Sequence, residues 1–76
     1  MKQIEEFLLK NGFKKLNNTH YENNKCDIYI NYKAEYYLIK FVIDSHVYDV
    51  YTTTLKLTEL VGELTWHDLI DKNYKI

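Results

Sequence analysis

The sequence predicts a small α+β domain in which four antiparallel strands form one sheet and a helix at each end of the chain covers one face of it. Three observations predict this fold. Apolar residues with helical spacing occupy both ends of the chain, four runs of alternating or strand-forming residues lie between them, and short turn-like segments separate those runs. Narrow helical stripes and a one-sided sheet bury their apolar surfaces by stacking as two layers.

The length and composition are those of one domain, 1–76. Hydrophobic residues make up 46% of the chain and charged residues 28%, which is typical of a folded globular protein. The net charge of -1 is neither strongly basic, as in most nucleic-acid-binding domains, nor strongly acidic, as in their mimics. Every strong base is lysine, so the bidentate contacts that arginine makes with phosphate or guanine are absent.

The single cysteine, Cys26, excludes an intramolecular disulfide and is typical of a reducing compartment. Met1–Glu6 carries acids where a signal peptide has a cation and an apolar run, and no apolar run approaches the roughly 18 residues that cross a bilayer. We expect a protein of the bacterial cytosol with no membrane partner. The many Lys, Asn, Ile and Tyr residues have AT-rich codons, which indicates a low-GC bacterium, its phages or its mobile elements.

The first predicted element is a helix over Lys2–Asn11. Its apolar stripe has the spacing of one helical face and consists of Ile4, Phe7 and Leu8. Gly12 ends the helix in a left-handed conformation. The segment Phe13–Asn18 is predicted to be a connector whose Phe13 and Leu16 side chains reach the core.

The sheet is predicted to be a meander around the central strand Tyr36–Ile43, which contains no Gly, Pro, Asn or Asp. The other predicted strands are Thr19–Glu22, Cys26–Tyr32 and Val47–Tyr51. Tight turns at Asn23-Asn24, Ala34-Glu35 and Asp44-Ser45 would pair Tyr21 with Cys26, His20 with Asp27, Ile30 with Ile39, Tyr32 with Tyr37, Phe41 with Tyr48, and Lys40 with Asp49. Ala34-Glu35 lacks the usual hairpin glycine, so a longer loop is the alternative there. This register keeps the apolar row of every strand on one face.

The C-terminal third is predicted to contain two helices, the first capped by Thr54. The apolar stripe of the first helix is Leu57, Leu60, Val61 and Leu64. Gly62 either ends this helix or marks a close backbone approach. Thr65 and Asp68 have the spacing of a capping box, which predicts a second short helix that buries Trp66 with Leu69 and Ile70. Trp66 as a core residue is favoured over Trp66 as an interface anchor.

The sheet face away from the helices is the candidate contact surface. By the predicted register it carries apolar and aromatic side chains among its charges, and the residues that we expect to bind a partner are Tyr29, Tyr36, Leu38, Lys40, Val42, Val47 and Tyr51. An apolar patch rimmed by charge marks a binding surface, and tyrosine is a favoured anchor. The alternative, given equal weight, is that these residues are present for their high β-propensity alone.

No catalytic or metal centre is predicted. The available ligands include His20, Cys26, Asp27 and His67, but no pair has the spacing of a zinc site. Cys26 points inward, where a thiol is inert. No nucleophilic triad, phosphate loop or carboxylate pair is visible, so we expect a protein that is not an enzyme and needs no cofactor.

The segment Leu60-Val61-Gly62-Glu63-Leu64-Thr65-Trp66-His67-Asp68-Leu69-Ile70 resembles segments of small phage proteins. With the low-GC composition and one-domain size, the chain resembles small accessory proteins of phages and mobile elements, anti-CRISPR proteins among them. The resemblance is one of type and transfers no functional residue. It implies a stoichiometric inhibitor of a host defence protein such as a CRISPR effector.

Two functions follow as expectations. The first is binding of another protein, through the open sheet face or through an unpaired edge at Val47–Tyr51 or Thr19–Glu22, an edge that could also pair with a second copy of the chain. The second is binding of single-stranded RNA or DNA by stacking bases on the tyrosines of the same face. Nucleic acid could also be reached through a protein partner.

Overall fold

Two helices and one five-stranded sheet form the computed structural model of the protein, which describes residues 2–76. In chain order the elements are α1 (Lys2–Lys10), β1 (Lys14–Asn17), β2 (His20–Glu22), β3 (Cys26–Asn31), β4 (Tyr36–Ile43), β5 (His46–Tyr51) and α2 (Leu57–Trp66). Each strand pairs antiparallel with the next, so the order in the sheet is the order in the chain and β1 and β5 are the edges. The predicted α+β class is confirmed, with five strands rather than four.

Helix α1 ends as predicted. Gly12 adopts a φ of +86°, and the Phe13 N–H donates to the Leu8 carbonyl over 3.0 Å, which is the long hydrogen bond of a Schellman motif. This bond turns the chain back so that the Phe13 ring is buried.

The segment predicted to be a connector is strand β1. It pairs with β2 through Lys14 opposite Glu22 and Lys15 opposite Tyr21, and a bulge follows Lys15. Leu16, expected in the core, is 42% exposed. This strand was missed because Lys14–Asn17 lacks the alternation of apolar and polar residues that predicts a strand. Its backbone pairing with β2 at the sheet edge is what makes it a strand. The strand near Thr19–Glu22 is therefore interior and offers no free edge.

The β4–β5 register is confirmed. Asp44 and Ser45 both have positive φ, 51° and 67°, as the two central residues of a type I′ turn require. The turn sets Phe41 opposite Tyr48 and Lys40 opposite Asp49.

The β3–β4 register differs from the prediction by two residues. Ile30 faces Tyr37 rather than Ile39, because the loop contains four residues instead of two. Asn31 stabilises this longer loop, since its Oδ1 accepts the Ala34 N–H over 2.8 Å and its carbonyl accepts the Glu35 N–H over 2.8 Å. Tyr32, predicted to face the core opposite Tyr37, lies in the loop instead and is exposed.

The β2–β3 register is also shifted by two residues. Tyr21 faces Ile28 rather than Cys26, since the Asn23 Oδ1 accepts the N–H groups of Lys25 and Cys26 and folds a wider turn. A shift of two residues leaves each side chain on its predicted face, because side chains alternate with a period of two.

One continuous core lies between the sheet and both helices, which confirms that the helices share one face. The sheet contributes Tyr21, Cys26, Ile28, Ile30, Tyr37, Ile39 and Phe41; the helices contribute Ile4, Phe7, Leu8, Leu60 and Leu64. Thr52 is the only buried polar residue among those described.

Helix α2 begins later than predicted. Its N-cap is Lys56, which makes no side-chain capping bond, whereas Thr54 lies two residues before this N-cap. Glu59 in the first turn reaches back to the segment before the helix and accepts the Thr53 N–H at 2.7 Å and the Thr54 N–H at 3.0 Å. Gly62 neither ends the helix nor marks a close approach: a Cβ there would meet no atom within 4 Å.

The prediction of a second C-terminal helix is wrong. Asp68 has a φ of 57°, and the Leu69 N–H donates to the Leu64 carbonyl over 2.8 Å, so Asp68 ends α2 instead of starting a helix. Trp66, predicted to be a core residue, is 82% exposed. Because α2 continues through Gly62, Trp66 lies two residues beyond the buried Leu64, roughly 200° further round the helix and away from the sheet.

The C-terminal tail packs on α1. Tyr74 is half-buried and meets Phe7 edge-on with 6.1 Å between ring centroids. The Asn11 side chain donates to the Lys75 carbonyl at 2.6 Å and accepts the Lys75 N–H at 2.8 Å. Neither helix in residues 2–76 has the length and apolar character needed to cross a membrane.

Candidate functional site

The sheet face opposite the helices is the candidate contact surface, and we call it the open face. The burial of β3 and β4 alternates strictly up to Phe41, with every second side chain in the core and the others exposed or half-exposed. Neither strand has a fully buried side chain on the open face. The period-two pattern of the sequence is therefore sufficient to place residues on this face.

Four of the predicted residues come together as a tyrosine patch, defined as Tyr29, Tyr36, Leu38 and Tyr51. Leu38 lies directly opposite Tyr29 on β3 and directly opposite Tyr51 on β5. Tyr36 and Tyr51 meet edge-to-face with 5.6 Å between ring centroids. Tyr51 is 57% exposed, so a large part of its ring is free for a contact. Rings held by neighbours lose little further entropy when they bind.

His20, the first residue of β2, extends the tyrosine patch onto that strand. Its ring stacks on Tyr29 with 4.2 Å between centroids and an interplanar angle of 19°. Its Nε2 lies 2.8 Å from the Asp27 Oδ1, so the ring is held from two sides. The predicted His20–Asp27 contact forms, although the backbone register places Tyr29 and not Asp27 opposite His20.

A row of charges borders the tyrosine patch. Asp27, Lys40 and Asp49 lie side by side on β3, β4 and β5, and the Lys40 Nζ lies 3.3 Å from the Asp49 Oδ1. Lys40, predicted as a contact residue, therefore has an acid on each side. Its charge is partly neutralised before any partner approaches.

The two remaining predicted residues form a separate apolar pair beyond this row. Val42 and Val47 lie directly opposite each other and are 61% and 67% exposed. The expected continuous patch is thus two patches, the tyrosine patch and this valine pair, with the charged row between them. Sequence spacing predicted the face of each residue but not this division.

Sequence reasoning missed an open groove of about 940 Å³ on the helical side. Its apolar lining comes from α1, α2 and the tail, and includes Ile4, Phe7, Val61 and Tyr74. The groove depends on the docking of the tail and on the length of α2, neither of which has a clear sequence signal. The exposure of Trp66 was missed because the length of α2 has no clear sequence signal.

The ionisable groups of the core favour a structural role. Burial raises the pKa of the Cys26 thiol to about 12, and the adjacent Asp27 adds to the shift, so the thiol is protonated at neutral pH. Burial and a hydrogen bond to Glu5 raise the pKa of Tyr21 to about 12. In residues 2–76 no three His, Cys, Asp or Glu side chains are grouped as metal ligands, and His20 with Asp27 supplies only two.

No family model, curated protein or solved structure matches this chain. Its function therefore has to be inferred from the chemistry of its surfaces.

Proposed function

We propose that the protein is a non-enzymatic binding module that holds another protein on its tyrosine patch. The observation that carries this proposal is the contiguity of Tyr29, Tyr36, Leu38 and Tyr51 on a face that the core does not use. Contiguous exposed apolar surface with a charged border is typical of interaction sites. Tyrosine is enriched among the residues that dominate interface energy.

The charges around the patch favour a protein over a nucleic acid. Asp27 and Asp49 border the tyrosines, and the cation between them, Lys40, is paired with Asp49. A phosphate backbone that followed the tyrosines would pass these carboxylates, and the repulsion would oppose binding. Base stacking on the exposed ring of Tyr51 is the alternative that the same patch allows.

The proposed partner is a host protein of a bacterium, such as a component of a CRISPR effector or of another defence system. What supports this choice is the low-GC composition and one-domain size, which are typical of phage accessory proteins that inhibit by stoichiometric binding. The proposed site of action is the bacterial cytosol, consistent with a single, unpaired and buried cysteine.

The test is affinity capture from lysate of the source bacterium with wild type, a Tyr36→Ala/Tyr51→Ala double variant and a Trp66→Ala control. Trp66 is an aromatic residue on the helical side that is more exposed than Tyr51, so the control also removes aromatic surface but leaves the open face intact. Circular dichroism verifies that each variant is folded. We expect the double variant to capture at least roughly tenfold less partner, and the control to capture as much as wild type.

Full capture by the folded double variant would overturn the proposal, and loss of capture by Trp66→Ala alone would move the site to the helices. Nuclease treatment and salt separate the two partner classes. A phosphate-led interaction is lost after nuclease and weakens steeply with salt, whereas a contact led by tyrosine rings changes little.

A further inference from the structure

The free edge of β5 has a defined set of unpaired backbone groups. The Thr52 N–H donates to the Tyr37 carbonyl over 3.0 Å, which continues the β4–β5 ladder past the end of β5. In an antiparallel ladder, successive residues direct their N–H and C=O groups alternately to one side and the other. Val47, Asp49 and Tyr51 therefore direct theirs away from β4, and no strand in residues 2–76 lies on that side.

The other edge of the sheet is protected, and this one is not. Strand β1 carries Lys14 and Lys15, contains a bulge, and is tied to α1 by a 2.6 Å ion pair between Lys15 and Glu5. Lysines and bulges are the devices by which proteins keep an edge strand from pairing. Strand β5 pairs regularly along all six residues with β4 and has no lysine, proline or bulge.

The one charge near the middle of β5 is Asp49, and it ends the charged row of the open face. The row runs Glu22, Asp27, Lys40, Asp49 across the sheet. A sixth strand would place a side chain directly opposite Asp49 on the same face. Asp49 already lies 3.3 Å from the Lys40 Nζ, but the row holds three acids and only this one cation. A base opposite Asp49 would add a second cation to this acidic row, whereas an acid would add a fourth negative charge and be repelled.

From this charge pattern we infer that the β5 edge binds an extended segment of the partner protein as a sixth strand, with a basic side chain opposite Asp49. The inference rests on the proposed function, since it assumes a protein partner. Tyr51 belongs both to this edge and to the tyrosine patch, so a strand added at the edge brings the partner onto the patch. Main-chain hydrogen bonds supply the affinity of such an added strand, and side chains supply its specificity.

The charge pattern also disfavours a second copy of the chain as the occupant. A symmetric antiparallel pairing that uses all three outward-directed residues sets Val47 opposite Tyr51 of the second copy. It then sets Asp49 opposite its own counterpart on the two-fold axis. Like charges directly opposite each other destabilise a strand pair.

The test uses two synthetic peptides, acetyl-Thr-Thr-Val-Lys-Val-Thr-Thr-amide and the same peptide with Glu in place of Lys. The readout is amide hydrogen exchange by NMR at roughly millimolar peptide, since a short strand binds weakly. We expect the Lys peptide to slow exchange at the outward amides of Val47, Asp49 and Tyr51, and to leave the ladder-bonded amides of Tyr48 and Val50 unchanged. The Glu peptide should bind about threefold to tenfold more weakly.

Two variants at one position separate the backbone from the side chain. Val47→Pro removes an outward N–H and no bond to β4, whereas Val47→Ala keeps that N–H and removes most of the side chain. We expect Val47→Pro to lose binding of the Lys peptide by at least roughly tenfold, and Val47→Ala to lose less than roughly threefold.

Unprotected outward amides, equal binding of both peptides, or undiminished binding by Val47→Pro would overturn the inference. Protection of these amides that rises with protein concentration in the absence of peptide would assign the edge to a second copy and overturn it as well. Failure of this inference can be distinguished from failure of the proposed function, which is tested by the capture experiment with Tyr36→Ala/Tyr51→Ala. That double variant removes aromatic side chains of the tyrosine patch but keeps every outward N–H of β5.

Discussion

Replacing Thr52 by Val should destabilise the fold more than a Thr→Val substitution at any other threonine of the chain. Thr52 is buried, and its Oγ1 accepts the Tyr37 N–H over 2.8 Å and donates to the Thr54 carbonyl over 2.8 Å. The hydroxyl thus closes the last rung of the β4–β5 ladder, where the backbone leaves the sheet for α2. Valine has nearly the same shape but forms neither bond.

The magnitude follows from the groups that would be left unpaired. Tyr37 is fully buried, so its N–H has no water to replace the lost acceptor, which costs about 1–3 kcal/mol. The Thr54 carbonyl belongs to a half-buried residue and can reach water, which adds at most ~1 kcal/mol. We expect a loss of about 2–3 kcal/mol, or roughly 10–20 °C in Tm for a domain of this size.

Urea unfolding followed by far-ultraviolet circular dichroism measures this loss. Fluorescence is a poor probe, because Trp66 is already exposed in the folded protein. Thr52→Ser is the matched control: it keeps the hydroxyl, loses one methyl group, and should cost about 1 kcal/mol. A Thr52→Val protein within about 0.5 kcal/mol of wild type would refute the assignment of the hydroxyl as the closing acceptor.

Two further predictions concern ionisable groups. Because burial raises the pKa of Cys26 to about 12, the thiol should react with a disulfide reagent orders of magnitude more slowly in the native protein than in urea; equal rates would contradict its burial. Hydrogen bonds from Thr53 and Thr54 hold the pKa of Glu59 below its usual value of 4.5, so its contribution to stability is present above that pH and is lost as the pH falls through the lowered pKa. Glu59→Gln should therefore be less stable than wild type at about pH 7, and its free energy of unfolding should fall less steeply between about pH 5 and about pH 3. Urea unfolding at each pH measures this, and a pH dependence equal to that of wild type would contradict the prediction.

The candidate site could be predicted in part, because its placement depends on a local rule. Alternation with a period of two decides which face a strand residue occupies, and it survives an error of two residues in register. Tyr29 was therefore placed on the open face although the predicted β3–β4 register was wrong. The direct contacts within the tyrosine patch could not be predicted, because they depend on which residue stands opposite which, and the loop at Tyr32–Glu35 decides that.

The other errors concern segments whose structure is set by remote contacts. Lys14–Asn17 has no strand pattern and becomes β1 because β2 offers it an edge. Tryptophan is a residue type often found in a core, but Trp66 lies on the side of α2 that faces away from the sheet, because the helix continues without interruption to this residue. The tail has no pattern and is held by the Asn11 side chain, 64 residues earlier in the chain.

By itself the sequence determined the α+β class, the shared face of the two helices, the β4–β5 turn and the face of each side chain on β2, β3, β4 and β5. Each of these depends on periodicity or on the conformational preferences of neighbouring residues, which act over a few positions. Only the tertiary structure decided the fifth strand, two of the registers, the exposure of Trp66 and the presence of β1, in place of β2, at the second edge of the sheet. Those outcomes depend on hydrogen bonds and packing between distant segments, whose free energy belongs to the assembled sheet and to no single stretch of the chain.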